Sequence, residues 1–244
     1  MSPLAHRLVA LSKLSGMFRK AQPYLAEFIY GGIDGSITTF AVVAGATGAS
    51  LDSSIIIILG VANLIADGFS MSIGSYLSSR SEKLQYDKFK QREYWEIEHL
   101  TESEVQEVRD IFKEKGFEGA LLENVVNKIT ENRDEWVDIM MKHELKMIKE
   151  ERNSISIGLA TFLSFFVAGS IPLLVYVLDY FISSSSNLFL YSSVLTGATF
   201  VVIGLLKGIV TQSSKLRRIT ETALLGTTAA TLAYYTGELL DRLI

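Results

Sequence analysis

Long apolar segments and one charged segment alternate along the 244 residues of this chain. Charged side chains are scarce at 35–78 and 154–206, and they are dense at 80–153. An apolar helix needs about 20 residues to cross the hydrocarbon core of a bilayer. Five segments are long enough, namely 29–50, 54–78, 155–181, 188–211 and 219–240. The pattern predicts an all-α, five-transmembrane-helix integral membrane protein with a helical insert between helices 2 and 3.

The same pattern divides the chain into four parts. Residues 1–26 place leucines at helical spacing among basic residues, which predicts an amphipathic segment on the membrane surface. Transmembrane helices 1 and 2 occupy 27–79, the insert occupies 80–153, and helices 3–5 occupy 154–244.

The insert is predicted to contain three or four amphipathic helices. The first continues out of the second span, and the next begins at Thr101 and stops near Gly116. A short helix covers "ALLENVVNKI", and the last is expected to run from about Asn132 into the third span.

Basic residues predict the orientation of the chain, because cytoplasmic loops of membrane proteins carry an excess of Lys and Arg. In the five-span arrangement they fall on one side: Arg7, Lys13, Arg19, Lys20, Arg80, Lys83, Lys215, Arg217 and Arg218. The N-terminus and the insert are therefore predicted to be cytoplasmic. No cleaved signal peptide is expected, and a vacuolar-type membrane and a prokaryotic cytoplasmic membrane both fit.

Composition excludes several functions. The net charge of −4, with no basic run among aromatic residues, gives no support for nucleic-acid binding. The absence of cysteine excludes disulfides, thiolate metal sites and cysteine nucleophiles. No organic cofactor is expected.

The first span, within "EFIYGGIDGSITTFAVVAGATGAS", contains Asp34. An ionised carboxylate in hydrocarbon costs several kcal/mol, so such residues usually face a bundle interior or a wet path. The alternative is that Asp34 lies at the membrane interface. Gly31 and Gly35 in the same span form a G-x-x-x-G motif, which allows another helix to approach closely.

The second span adds a polar stripe, because "NLIADGFSM" puts Asn63, Asp67 and Met71 four residues apart on one helix face. Oxygen ligands alone suit magnesium or calcium, whereas an added thioether shifts the preference towards a first-row transition metal such as Fe²⁺ or Mn²⁺. Met71 considered alone is an ordinary membrane residue. Asn63 and Asp67 are possible parts of an ion path.

The insert offers further carboxylates at helical spacing. Glu93 and Glu96 are three residues apart on one predicted helix, and Glu104 and Glu107 are three apart on the next. Each pair can present two carboxylates from a single face. In "MMKHE", Glu144 follows Met140 and Met141 at helical spacing. The glutamates and methionines together could form a multi-metal site.

These insert residues also have structural interpretations. "TESE" at 101–104 matches a capping box, in which Glu104 would reach back to the start of its helix. Met140 shares a stripe with Trp136 and Met147 that is typical of core packing. A charged run is often a solvated face. His99 and His143 have no assigned role.

Three motifs make the chain similar to the vacuolar iron transporter family: "GGIDGSITTFAVVAGATGA", "ADGFSMSIGSYLSSRSE" and the weaker "GSIPLLVY". The resemblance covers about 27–241. It implies a homodimer of five-span subunits that carries Fe²⁺ as substrate, or Mn²⁺, out of the cytosol by proton antiport, with an ion path between the subunits.

The resemblance also implies a set of metal-handling residues. Asp34 and Met71 match the family's intramembrane aspartate and methionine. The remaining matches lie in the insert and are Glu93, Glu96, Glu104, Glu107, Met140, Met141 and Glu144. One departure is Ser75, because many family members have a glutamate in the corresponding G-E-Y or G-E-F motif.

Other functional classes compete with transport. Glu96 and His99 form one Glu-x-x-His element, which ferritin-like di-iron bundles use twice. A membrane-anchored di-iron ferroxidase, or an iron-storage or sensing protein, is therefore the main alternative. A membrane anchor whose insert binds another protein ranks last, because it leaves the polar stripe of the second span without a role.

Overall fold

The computed structural model describes residues 22–182 and 187–244. After a 3₁₀ turn at Gln22–Tyr24, this part of the chain contains eight α-helices and no strand. They are α1 (Leu25–Gly48), α2 (Ser53–His99), α3 (Thr101–Glu114), α4 (Gly119–Thr130), α5 (Arg133–His143), α6 (Ser154–Ile182), α7 (Leu188–Val210) and α8 (Lys215–Leu243). The all-α prediction is confirmed. Most of the amphipathic segment predicted at 1–26 lies outside the described residues.

Four helices of the described chain are long and apolar enough to cross a membrane: α2, α6, α7, and α1 together with its preceding turn. The fifth predicted span corresponds to α8, which is 29 residues long. Its uncharged stretch, 222–237, is short and rich in threonine, so α8 is less apolar than the other four. The fifth span therefore stays a prediction.

Helix α1 has neighbours on several sides in the first compact unit, which comprises residues up to Tyr76 and Arg152–Ile244. It packs against α6, α8 and α7. At the G-x-x-x-G motif the partner is α6, because a Cβ atom at Gly35 would overlap the backbone of Phe165. The close helix approach predicted for this motif is confirmed.

The second unit, Leu77–Glu151, has its own core. The C-terminal half of α2 and helices α3, α4 and α5 contribute its buried side chains, which are Tyr86, Ile97, Val108, Leu122, Val126, Ile129, Trp136, Val137, Met140 and Met141. Helix α2 continues unbroken from the second predicted span into this unit, as the sequence indicated.

The prediction of one helix from Asn132 into the third span is wrong. Helix α5 ends at His143, and α6 begins at Ser154. The chain turns at Lys146, which has a φ of 53°, and the Met147 amide donates a hydrogen bond to the Met141 carbonyl. The turn lets Leu145 and Met147 pack on the core of the second unit. This packing outweighs the helical propensity of the segment.

Candidate metal centre

Three glutamates from different parts of the second unit meet at one point. Glu93 lies on α2, Glu104 lies in the first turn of α3, and Glu144 directly follows α5. One carboxylate oxygen from each lies within 4.8 Å of the other two. In the described residues this is the one group of three or more histidine, cysteine, aspartate or glutamate side chains that could hold a metal ion. We call these three residues the glutamate trio.

Two members of the trio are buried without a complete set of partners. Glu93 is 2% exposed and Glu104 is 4% exposed. Among residues 22–182 and 187–244, no group donates a hydrogen bond to Oε2 of either side chain. A buried, unpaired carboxylate oxygen destabilises a fold unless a cation or a proton satisfies it. The trio therefore has the donor atoms and the unmet charge of a cation site.

Burial and mutual repulsion shift the acidity of the trio. Burial, followed by repulsion from Glu144, raises the pKa of Glu93 from 4.5 to about 7. Burial, followed by repulsion from Glu107, raises the pKa of Glu104 from 4.5 to about 7. The pKa of Glu144 is also raised, chiefly by burial. A cation that binds here near neutral pH would displace protons.

Two more glutamates adjoin the trio. Glu107 and Glu96 both repel Glu93, Glu104 and Glu144 electrostatically. Glu96 Oε1 accepts hydrogen bonds from Arg92, at 2.9 Å from Nε and 2.9 Å from Nη2. The structure thus brings together all five glutamates predicted in the insert. Arg92 also belongs to this cluster. Sequence analysis did not identify it, although its i,i+4 spacing to Glu96 is typical of a helical ion pair.

The capping-box interpretation of Glu104 is wrong. Leu100 is the N-cap of α3 and makes no side-chain capping hydrogen bond. The Thr101 hydroxyl donates backwards to the Ile97 carbonyl at 2.7 Å. Glu104 points instead into the acidic cluster, where Glu93 and Glu144 surround it.

Met140 and Met141 are both buried in the core of the second unit, at 0% and 1% exposure. They pack in one cluster with Trp136, with Met147 at its edge, so the packing interpretation of this stripe is correct. Both precede Glu144 on the last turn of α5. Their role as metal ligands stays a prediction.

Neither histidine of the second unit belongs to the trio. His99 Nδ1 lies 2.8 Å from the Trp95 carbonyl oxygen, and its ring stacks on Trp95. The His143 ring lies beside Lys115, with 3.1 Å between Nε2 and Nζ. Burial, followed by the charge of Lys115, lowers the pKa of His143. The Glu96–His99 pair is therefore not assembled as a di-iron ligand set.

The first unit contains the predicted intramembrane residues. Asp34 is half-buried on α1 and interacts electrostatically with Asp67 on α2. Asp67 is exposed. Asn63, one turn earlier, is half-buried, and its Nδ2 has no hydrogen-bond partner in the described part of the chain. The unbroken helix keeps Asn63, Asp67 and Met71 at four-residue spacing.

Met71 and Ser75 are both half-buried in the first unit. Met71 is half-buried and packs at the edge of an apolar cluster that includes Leu64 and Phe165. Ser75 Oγ accepts a hydrogen bond from the Thr161 hydroxyl of α6 at 3.3 Å. Ser75, at which the chain departs from the resembled motif, therefore links α2 and α6.

The model of the VIT family matches residues 25–238 of this chain. The chain belongs to the VIT family. A vacuolar iron transporter of Toxoplasma gondii is 32% identical, covering 98% of this chain and 83% of the relative. Vacuolar iron transporter 1 of Tulipa gesneriana is 33% identical, covering 88% and 86%. Vacuolar iron transporter 1 of Arabidopsis thaliana is 34% identical, covering 85% and 82%.

Membership of the VIT family confirms the resemblance that was based on the three sequence motifs. The match includes every candidate metal residue, from Asp34 on α1 to Glu144 after α5. Together with four helices able to cross a bilayer, it identifies this VIT-family chain as an integral membrane protein.

Proposed function

We propose that this VIT-family protein transports Fe²⁺, or Mn²⁺, out of the cytosol in exchange for protons. The observation that carries the proposal is the glutamate trio, because two of its buried carboxylates have oxygens without hydrogen-bond partners. The names of the relatives, which are vacuolar iron transporters, support iron as the transported ion.

The donor atoms favour a divalent first-row metal over magnesium. Carboxylates alone also suit magnesium and calcium, so selectivity requires a softer ligand. Met71 supplies a thioether on the polar stripe of α2, and Met140 and Met141 supply thioethers on the turn that leads to Glu144. In this proposal the insert captures the ion from the cytosol and the thioethers disfavour magnesium.

The ion then crosses the membrane past Asp34, with Asn63, Asp67 and Met71 along its path. A divalent ion cannot enter hydrocarbon unpaired, and intramembrane carboxylates offset part of its desolvation. The electrostatic interaction between Asp34 and Asp67 supports this step, because a cation between two carboxylates relieves their repulsion.

We propose a homodimer in which α2 faces its counterpart. Four small residues, Ala62, Ala66, Ser70 and Gly74, repeat every fourth position on α2, and all are exposed in the single chain. Small residues at this spacing let membrane helices pack closely. The exposed Asp67 lies beside this stripe, and lipid contact would be costly for its carboxylate. A second subunit would cover both.

Protons complete the cycle. Glu93 and Glu104 have pKa values of about 7, so a cation entering the trio would release protons to the cytosol. In the membrane the same exchange at Asp34 would couple metal release to protonation from the far side. In the proposed cycle, a divalent ion and protons therefore bind the same carboxylates in turn.

Uptake by proteoliposomes tests the transport step. We expect Fe²⁺ uptake to be stimulated by an acidic lumen and to fall to the level of empty liposomes for D34N. The matched control is D241N, near the C-terminal end of α8 and outside the proposed path. Unchanged flux in D34N would remove Asp34 from the mechanism, and the absence of wild-type flux would overturn the proposal.

Metal binding to the full-length protein tests the capture step. The double variant E93Q/E104Q should lose Mn²⁺ binding to the second unit. The double variant E131Q/E135Q changes the charge equally at two exposed glutamates of the same unit and should bind as the wild type does. If both double variants bind Mn²⁺ equally well, the trio is not the metal site.

The ferroxidase alternative predicts catalytic oxidation of Fe²⁺ by the purified protein without flux across a membrane. His99 contacts the Trp95 carbonyl and ring rather than Glu96. The glutamate trio, which contains no histidine, is the one group in the described residues that could hold a metal ion, so they offer no second Glu-x-x-His ligand set. Oxygen consumption on adding Fe²⁺, measured with the uptake assay, separates the two functions.

A further inference from the structure

Arg92 is a cation placed against the acidic cluster. It lies one turn before Glu96 on α2, and its Nε and Nη2 atoms both contact Glu96 Oε1 at 2.9 Å. The Glu96 side chain is 16% exposed, whereas the Arg92 side chain is 65% exposed. The guanidinium group therefore binds a largely covered carboxylate from the solvent side.

The charge of Arg92 also acts on carboxylates other than Glu96. It partly offsets the repulsion that Glu104 and Glu144 experience from the other carboxylates. Five glutamates share this small region, and Arg92 supplies a positive charge to it in the metal-free chain. A divalent ion would bring the same compensation with twice the charge.

Arg92 and an incoming ion therefore compete. Both are attracted to the carboxylates, and like charges at close range repel each other. Because Arg92 is mostly exposed, its guanidinium group can move into water at little cost when the ion arrives. It can also return to Glu96 as the ion leaves.

We propose that Arg92 is an internal competitor of the transported ion, which holds Glu96 in the metal-free state and limits the affinity of the glutamate trio. This inference rests on the proposed metal site. A capture site in a transporter must release its ion, and a tethered cation beside the trio weakens binding and speeds release. Arg92 is thus a residue that sets affinity without being a ligand.

The test is Mn²⁺ binding to the full-length protein in detergent, with free Mn²⁺ measured by its EPR signal and the signal of E93Q/E104Q subtracted. R92Q should bind Mn²⁺ about two- to tenfold more tightly, in line with the modest strength of exposed ion pairs. Dissociation into excess chelator should slow by a similar factor. R92K keeps the charge and should fall between R92Q and the wild type.

The matched control is R109Q. Arg109 pairs with Glu123 through Nε and Oε1 at 2.8 Å in the same unit, and it is not among the charges that shift the pKa values of the trio. Its loss changes the net charge equally and should leave the affinity unchanged. Raising the ionic strength should reduce the difference between R92Q and the wild type, because salt screens exposed charges. A merely structural role for Arg92 would not give this salt dependence.

Weaker or unchanged binding by R92Q would overturn the inference, because Arg92 would then position Glu96 for the metal or have no effect on it. Equal tightening by R109Q would assign the effect to net charge and overturn it as well. If R92Q does not purify as a folded protein, R92M can replace it, because it also removes the positive charge. Failure of the metal site is distinguishable, because E93Q/E104Q would then bind like the wild type.

Discussion

At the residue scale, Glu93 and Glu104 are buried carboxyl groups that are destabilising when ionised, and a cation bound beside them would offset this cost. The fold buries both carboxyl groups and surrounds them with other glutamates, so their pKa values rise from 4.5 to about 7. In the unfolded chain each group would have an ordinary pKa. The metal-free protein therefore loses stability when these groups ionise, and a divalent ion bound at the proposed site would restore it.

This gives a pH prediction for the metal-free protein. Because the folded-state pKa is raised, the stability contributed by Glu93 and Glu104 is fully present below about 4.5 and is lost as the pH rises through about 7. We expect the thermal midpoint of the second unit to fall between about pH 5.5 and about pH 8. In E93Q/E104Q the fall should be smaller.

Tryptophan fluorescence is the measurement, because the chain has two tryptophans, Trp95 and Trp136, and both lie in the second unit. The scans are made in chelator, and saturating Mn²⁺ should raise the wild-type midpoint at about pH 8. An identical pH dependence in the wild type and in E93Q/E104Q would contradict the burial of ionisable groups at this site.

At the element scale, the sequence predicted what depends on local periodicity. The unbroken exit of α2 from the second span, the start of α3 at Thr101 and the close helix approach at Gly35 were all correct. The end of α5 was not, because the turn at Lys146 is stabilised by packing of Leu145 and Met147. Local spacing could not show that Glu104 faces Glu93 rather than its own helix start.

The close approach of α1 and α6 predicts a difference between two glycines. A Cβ atom at Gly35 would overlap the backbone of Phe165, whereas Gly197 on α7 has no such atom within 4 Å. G35A should lower the free energy of unfolding by about 1–3 kcal/mol, as overpacking does. G197A should be neutral or stabilise by up to about 1 kcal/mol, since alanine favours helices. Thermal stability in detergent compares them, and equal midpoints would refute this packing.

At the scale of the whole molecule, the proposed homodimer uses the small-residue face of α2, which is exposed in the single chain. The natural absence of cysteine makes cross-linking direct. We expect A66C or S70C to form an intermolecular disulfide under mild oxidation, since a disulfide requires Cα atoms within about 7 Å. Ala198 is exposed on α7, and A198C should stay monomeric on a non-reducing gel. Cross-linking at Ala198 instead would place the interface elsewhere.

The contacts at the two ends of α8 are relevant to the number of transmembrane helices. Its first turns contact the end of α7, because Gly208 lies against Lys215 and Gly204 against Ile219. Its last turns contact the end of α1, where Gly237 meets Gly45 and Tyr234 meets Gly48. In the five-span arrangement, α7 ends on the cytoplasmic side and α1 ends on the opposite side. In that arrangement a helix that reaches from one end to the other would cross the same thickness as α1, although threonines lower its hydropathy.

The five-span arrangement predicts that the C-terminus and the insert lie on opposite sides of the membrane. Single cysteines at Glu131 in the insert and at Ile244 test it, since both positions are exposed. In sealed vesicles of one orientation, an impermeant maleimide should label either E131C or I244C, and it should label both after detergent is added. Labelling of both positions from the same side would mean that α8 lies along the surface and that four helices cross the membrane.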